Sequence, residues 1–525
     1  SKDTIRASID HWRRFMQDRF LHWHRVQSKI EQITGKPLAE RINVYGNEEL
    51  FSGRAGSRLD DLERKHKEPI IQKLADFKNK YADGVEIVEK FLYALHAGER
   101  NTQIAKINPK FPNDGTPGSG GSGMDQEEID IIMKNAKESG QYDELMDIAT
   151  RVHDMLQDSL RFRLDSGLIS KETYDIITDT YKYYVPLRGL AESGIGEEGM
   201  GMKSGKGKDI RGKEIKSARG RKSKASDILA HSFALADEAI IRGEKNRVGQ
   251  ALYRLVKKYP SDMWEVATPA KVPVLNKATG LIEYRAKPTP KNYQLDDYTV
   301  GVKVDGVQKL ITLKDKRLAE PMKNLHVDKV EGIWLFLLTY NRYPSQVNTT
   351  LNPEFIITNA FRDLQTALIN IQQFDAKGLS KATRRDYFKA LKGAYGGLRG
   401  KEQTEWQRYM REFDAAGGKV NFFKVDDLNA RRTKLQRELD IRGKGALPVT
   451  RRAARAIMDL VEDANGAVEN AIRLSAFVNA RRMGMSDFDA ARLAKNLTVN
   501  FNKRGELGTQ MNGLYLFYNA SIQST

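Results

Sequence analysis

Residues 68–95 read EPIIQKLADFKNKYADGVEIVEKFLYAL. Ile70, Leu74, Phe77, Tyr81, Val85, Val88, Leu92 and Leu95 recur every three or four positions, the spacing that lines one side of an α-helix. The stretch predicts a helix from Glu68 to Leu95, with Gly84 as its weak point. The same period extends toward the N-terminus. Trp12, Phe15, Phe20 and Trp23 form one apolar stripe, and Arg13, Arg14, Arg19 and Arg25 decorate the remaining surface. This reads as a helix docked on a core in preference to one lying on a membrane.

Downstream, Asn113–Gly123 is rich in Gly, Pro and Ser and reads as a loop or linker, with GSGGSG at 118–123 resembling even an engineered joint. Asp125-Gln126-Glu127-Glu128 opens the next helix with carboxylates where the helix dipole favours them. Helices are expected to continue through Tyr183. Helix resumes at the cap Ser226-Asp227 and runs to about Tyr259. Residues 263–313 change period. Tyr298–Val304 alternates, Asp305-Gly306 is a two-residue hairpin turn, and Val307–Leu313 is the return strand. From Leu318 the pattern is again helical, with breaks near Pro344, Pro353, Gly396-Gly397, Gly417-Gly418 and from Gly443 to Pro448.

The expectation is therefore a mainly α protein, a multi-helix elongated array with one small β insertion around residues 263–313. Five segments follow: a helical domain over 1–112, a linker over 113–124, a helical domain over 125–262, the β insertion over 263–320, and a helical domain over 321–525. A length of 525 residues suits three or four domains at about 150 residues each.

Lysine and arginine total 87 against 69 aspartates and glutamates, a net charge of +18. Such a balance favours polyanions such as DNA, RNA or an anionic membrane surface. Cysteine is absent, which removes disulfides, thiolate metal sites and cysteine nucleophiles together. No apolar run reaches the roughly 18 residues of a membrane span. The longest, Ile333–Leu338, is far shorter. No signal peptide is visible. The chain begins with Ser1 and stops at Thr525 just after an expected helix, which suggests a piece of a longer polypeptide.

The basic tract is the main candidate site. Lys203, Lys206, Lys208, Arg211, Lys213, Lys216, Arg219, Arg221, Lys222 and Lys224 face only two acids, Asp209 and Glu214. With almost no large apolar residue, residues 194–224 are expected to bury no core and to move freely when unbound. The cations would either neutralise DNA phosphates without reading sequence or pair with an acidic surface elsewhere in an assembly.

Other motifs are weaker. Gly194–Gly199 matches a dinucleotide fingerprint in its letters, but no strand precedes it and two carboxylates occupy the phosphate position. Gly207, Gly212 and Lys213 have P-loop spacing, yet Glu214 replaces the Ser or Thr that must ligate magnesium. His22 and His24 diverge on a helix and His11 lies about three turns upstream, so no metal is expected. His96, Glu99 and Arg100 share a helix face and could form an acid–base site or a structural network at a helix end. Tyr181, Tyr183 and Tyr184 could stack on bases, but read better as half-buried rings at the end of a helix. No catalytic residue, metal or cofactor is assigned.

Several runs taken together resemble the large polyvalent proteins of tailed phages and mobile elements. They are HAGERN at 96–101, YYVPL at 183–187, the stretch Arg242–Gln250, NPEF at 352–355 with Asn359 and Arg362-Asp363, and NFNKRG at 500–505. YLFYNASIQ at 515–523 adds to the C-terminal resemblance. That group includes internal virion, or ejection, proteins and giant antirestriction proteins of the defence-against-restriction type. The resemblance spans most of the chain from about residue 45.

It implies a protein packed inside the virion, leaving with the genome and entering the host envelope or cytoplasm. There it would act as a homo-oligomer, with DNA backbone or acidic partner virion proteins as contacts and the host envelope as a further one. A coinjected protein that shields phage DNA is the alternative it implies. Members often carry a separate murein-cleaving module, and none is visible in this sequence. A helical chain without disulfides suits threading through a narrow tail, because local contacts reform quickly.

Overall fold

The computed structural model describes residues 17–116, 118–188, 207–212, 214–215, 219–267, 271–275, 282–286, 298–323, 378–398, 402–420, 428–442, 466–468 and 470–497. Trp12, Phe15, His11, Ile333–Leu338, Gly194–Gly199 and the runs at 352–363 and 500–523 lie outside them.

The helices are α1 (Leu21–Thr34), α2 (Val44–Leu62), α3 (Glu68–Lys80), α4 (Gly84–Ile107), α5 (Gln126–Glu138), α6 (Tyr142–Asp165), α7 (Lys171–Thr180) and α8 (Ile228–Lys258). After the strands come α9 (Lys316–Lys323), α10 (Leu379–Leu398), α11 (Glu405–Ala415), α12 (Leu428–Arg442), α13 (470–482) and α14 (Asp487–Lys495). The protein is mainly α with a small β insertion, as the hydrophobic periods predict.

The insertion holds β1 (Trp264–Ala267), β2 (Lys271–Leu275), β3 (Ile282–Ala286), β4 (Thr299–Val304) and β5 (Val307–Leu313). β5 is central in an antiparallel sheet ordered β1-β5-β4, and among the described residues β2 pairs with β3 alone. The β4–β5 register closes on Val304 opposite Val307. The turn residues Asp305 and Gly306 both have positive φ, 50° and 76°, as a two-residue turn matched to strand twist requires.

The single helix expected over Glu68–Leu95 is a hairpin of two. α3 stops at Tyr81, whose backbone is extended, and Gly84 starts α4. A Cβ on Gly84 would come within 2.9 Å of Lys78 Cα, so glycine permits the close return. The apolar stripe survives the break because both helices face one core, where Ile70, Leu74, Phe77, Val88 and Leu92 are all buried.

Three cores organise the described residues. The first joins α3–α6 to the start of α8, with Ile148, Val152, Leu229 and Phe233 at its centre, and takes Leu439 from α12. The second packs α10, α11, α13 and α14 around Phe413 and Phe477. The third sets the β1-β5-β4 sheet against α1, α9 and the end of α8. In it Trp23 stacks on Trp264, with ring centroids 6.5 Å apart, and donates its indole N–H to Leu318 O at 3.0 Å. These cores cut across the five segments drawn from composition.

α2 belongs to all three. Leu62 enters the first core, Leu50 the second, and Val44, Tyr45, Phe51 and Ala55 the third. Glycines make this possible. A Cβ on Gly46 would meet Phe488 and Arg492 of α14, and one on Gly53 would meet the backbone at Gly417 and Lys419.

Candidate functional site

The expected mobile basic tract is largely anchored where it is described. Lys208 is 4 % exposed, with its ammonium 3.1 Å from the Phe51 ring centroid. Asp209 accepts from Gly301 N at 2.6 Å and from Arg211 Nε at 2.9 Å. Arg211 also donates to Thr299 O. Arg221 binds Leu187 O at 2.7 Å, and Lys224 pairs with Glu128. Arg219 and Lys222 are exposed. Lys203, Lys206, Lys213 and Lys216 lie outside the described residues. Where the tract is described, neighbouring elements supply the apolar and acceptor groups it lacks.

Glu214, in the P-loop-like stretch, is a clamp. It accepts from Arg163 Nη1 at 2.9 Å and pairs with Arg242, and all three side chains are buried. The stretch therefore fixes α6 to α8 and has no free phosphate cradle at Glu214.

The glycine-rich stretch at 113–124 is a packed loop instead of a spacer. Gly118, Gly120, Gly121 and Gly123 all have positive φ. Cβ atoms there would meet Lys222 O, Asn101, Ile104 and Ser223 O respectively. From α4, Asn101 accepts from Ser122 N at 2.8 Å and donates to Met124 O at 2.9 Å, and Tyr93 donates to Ser122 O at 2.9 Å. A parallel bridge between Ser122 and Arg221 then ties this loop to the basic tract.

One turn back on α4 lies the cluster flagged in the sequence. Glu99 accepts the backbone N–H of Lys182 at 2.9 Å and of Tyr183 at 3.0 Å, which anchors the chain leaving α7. Burial opposes the ionised form of Glu99, but these donors and the adjacent imidazole hold its carboxyl below the usual range. His96 Nδ1 is 3.6 Å from Glu99 Oε2, beyond hydrogen-bond length. Its ring packs edge-on against Tyr181 and Tyr184, at 5.1 and 5.3 Å, and His153 of α6 packs on Tyr183 at 5.2 Å. The tyrosines are half-buried at a helix end, as expected. Among the described residues neither nitrogen of His96, nor Nε2 of His153, nor Nε of Arg100 has a hydrogen-bond partner. The sequence pointed to His96, Glu99 and Arg100 but not to His153, whose only signal is burial on α6.

Burial lowers His96, and lowers His153 to about 4 with help from the neighbouring His96 and against Glu99. His231 is also lowered to about 4, by burial and by Arg188. These rings are neutral in the folded chain, whereas the unfolded chain takes up protons below about 6.5. Their contribution is complete above about pH 6.5, and that of His153 and His231 is lost as pH falls toward 4. Urea midpoints at pH 7.5 and 5 should differ less in His153→Gln than in the parent. Asp414, raised to about 7 by burial, contributes with the opposite sign in both proteins and cancels in the comparison. An equal pH dependence would mean that His153 protonates in the folded state.

A further charged cluster was not legible in the sequence. On α2, Arg54 donates to Glu244 of α8 at 3.1 Å, and Arg58 reaches the same carboxylate at 2.8 Å. Glu49 accepts from Arg492 at 2.8 Å and from Asn496 at 3.0 Å. Lys245 and Lys495 are buried beside them, lowered by burial to about 8 and about 7. The one available hint was Gly46 and Gly53, two turns apart within a helix.

Among the described residues no group of His, Asp or Glu is gathered to hold a metal, and no helix is long and apolar enough to cross a membrane. No family model, no curated protein and no solved structure matches the chain.

Proposed function

We propose that this chain is a non-catalytic part of a phage internal virion protein. It is carried inside the particle, leaves with the genome, and assists DNA passage across the host envelope as an oligomeric assembly. The support begins with the resemblance of its short runs to that group. A net charge of +18 suits contact with DNA phosphates.

One observation carries the reading furthest. Two of the resembling runs meet beside His153 of α6, and a third touches the cap of the same helix at Ser166. Glu99 of the first holds the backbone of Tyr183 in the second, and Tyr183 packs on His153 of α6. From the third, Asn246 and Gln250 donate to Ser166 O at 2.9 and 3.1 Å.

Mass spectrometry of purified virions, before and after triggered DNA release, tests the proposal. Peptides of this chain are expected in full particles and not in emptied ones. Their absence from both removes the virion role. Normal ejection by a deletion phage whose DNA has become sensitive to host endonucleases would replace this reading with DNA protection.

A further inference from the structure

The cations described in the 203–224 tract are mostly anchored, whereas those on α10 stand in solvent. Lys381, Arg384, Arg385, Lys389 and Lys392 are all exposed. Their spacing of three and four residues puts them on one side of the helix. Phe388 stands at the centre of that side, 77 % exposed, one turn from Arg384, Arg385 and Lys392. Its ring meets Tyr387 in an edge contact, with centroids 5.5 Å apart and planes at 78°. The opposite side of α10 is spent on the second core, where Leu379, Ala390 and Ala394 are buried.

Little negative charge offsets this face. The sole acid of α10, Asp386, is buried. Its carboxylate is shared by Arg385 at 3.2 Å, Lys389 at 3.6 Å and Arg482 of α13 at 3.3 Å. Lys381, Arg384 and Lys392 have no ion-pair partner among the described residues. Glu405 of α11 lies beyond Arg482, 3.8 Å from its guanidinium, and accepts the Tyr409 hydroxyl.

Such a face fits a polyanion. An anionic membrane would need an apolar helix face to insert, and that of α10 is already in the core. A duplex offers phosphates but keeps its bases stacked, so Phe388 would find no partner. A single strand offers both, phosphates for the cations and open bases for the ring. From Lys381 to Lys392 the face runs about 16 Å along the helix axis, room for several nucleotides.

We propose that α10 binds single-stranded nucleic acid, with Phe388 stacked on a base and the flanking cations neutralising phosphates. The inference deepens the DNA contact of the virion reading and rests on that reading for the source of the strand. The affinity itself does not depend on packaging, so the two fail separately.

The test is fluorescence anisotropy of the full chain with a labelled oligothymidylate of roughly 16 nucleotides, across a salt series. Saturable binding is expected. Phe388→Ala should weaken it about tenfold, the loss of one stacked base, and leave binding to a duplex of the same length unchanged. Phe388→Trp keeps a stacking ring and should bind at least as tightly as the parent. The triple variant Lys381→Gln/Arg384→Gln/Lys392→Gln should flatten the slope of log K against log salt by about 2. These side chains are exposed, so urea midpoints should match the parent's. No binding by the parent, or no change in either the Phe388→Ala affinity or the triple variant's slope, overturns the proposal. A flattened slope with Phe388→Ala unchanged shows phosphate contact alone and overturns the single-strand assignment. Phe388-dependent binding to phosphatidylserine vesicles, with none to the oligonucleotide, reassigns the face to a membrane.

Discussion

Glu244→Ala should lower the unfolding free energy by about 3–5 kcal/mol, the range for breaking a buried ion pair from one side. Glu244 and Arg54 are both almost wholly buried, and the carboxylate joins α8 to α2 through Arg54 and Arg58. Burial already pulls Arg54 down to about 10 against the attraction of Glu244. Without that carboxylate, Arg54 keeps Asn47, whose backbone and side-chain oxygens lie at 2.9 and 3.1 Å, and Glu40 at 4.0 Å. Removing both charges is another matter. The double variant Arg54→Met/Glu244→Met should recover most of the loss, because no uncompensated ion is left inside. Equilibrium urea unfolding of Glu244→Ala and of the double variant measures this. A single-variant loss below about 1 kcal/mol, typical of exposed pairs, would show that water reaches Arg54 and that the pair is not an interior one.

Gly53→Ala should be destabilising by roughly 1–3 kcal/mol, the cost of overpacking a tight contact, although alanine is the better helix former. The new methyl would press on the Gly417 carbonyl and lie 2.7 Å from Lys419 O, both of them backbone. Relief requires α2 to move away from the turn after α11, which also disturbs the Lys495 contact to the same carbonyl. Gly98→Ala on α4 is the matched control, since a Cβ there meets nothing within 4 Å. It should stabilise by about 0.5–1 kcal/mol through helix propensity alone. Urea midpoints should therefore move in opposite directions. Equal shifts would mean that the close approach at Gly53 relaxes freely.

The extent to which these features could be read in advance follows from how far each depends on distant residues. α8 spans Ile228–Lys258, within a residue or two of the expected limits. Its cap was misjudged. The Asp227 side chain makes no capping hydrogen bond, and Glu89 of α4 accepts the Leu229 N–H at 3.1 Å. Local pattern also sufficed for Asp305-Gly306 and for Asp125, which accepts from Glu128 N at 2.9 Å. The break at Tyr81 was marked in the sequence only by Gly84, because a 3.6-residue period continues through a hairpin whose arms share one core. The glycines at 118–123 suggested freedom. Their left-handed backbone instead lets a loop press against Asn101 and Ile104. Candidate site residues fared similarly. Residue type showed a positive tract, but only tertiary structure shows Lys208 turned inward and Glu214 clamped between two arginines. Glu49 and Arg492 are 443 positions apart, and no local pattern pairs them.

The membership of α2 in three cores governs how the chain can be made. Synthesis from the N-terminus delivers α2 early, and its partners for two cores are nearly all present once α9 has emerged. The face bearing Gly46, Glu49 and Gly53 then waits for the 417–419 turn and for α14. Until residue 497 has left the ribosome, that face remains an unsealed seam with Leu50 and a buried-type carboxylate open to water. A nascent chain halted short of α14 should therefore offer this seam to chaperones and proteases, even with its first and third cores already shut.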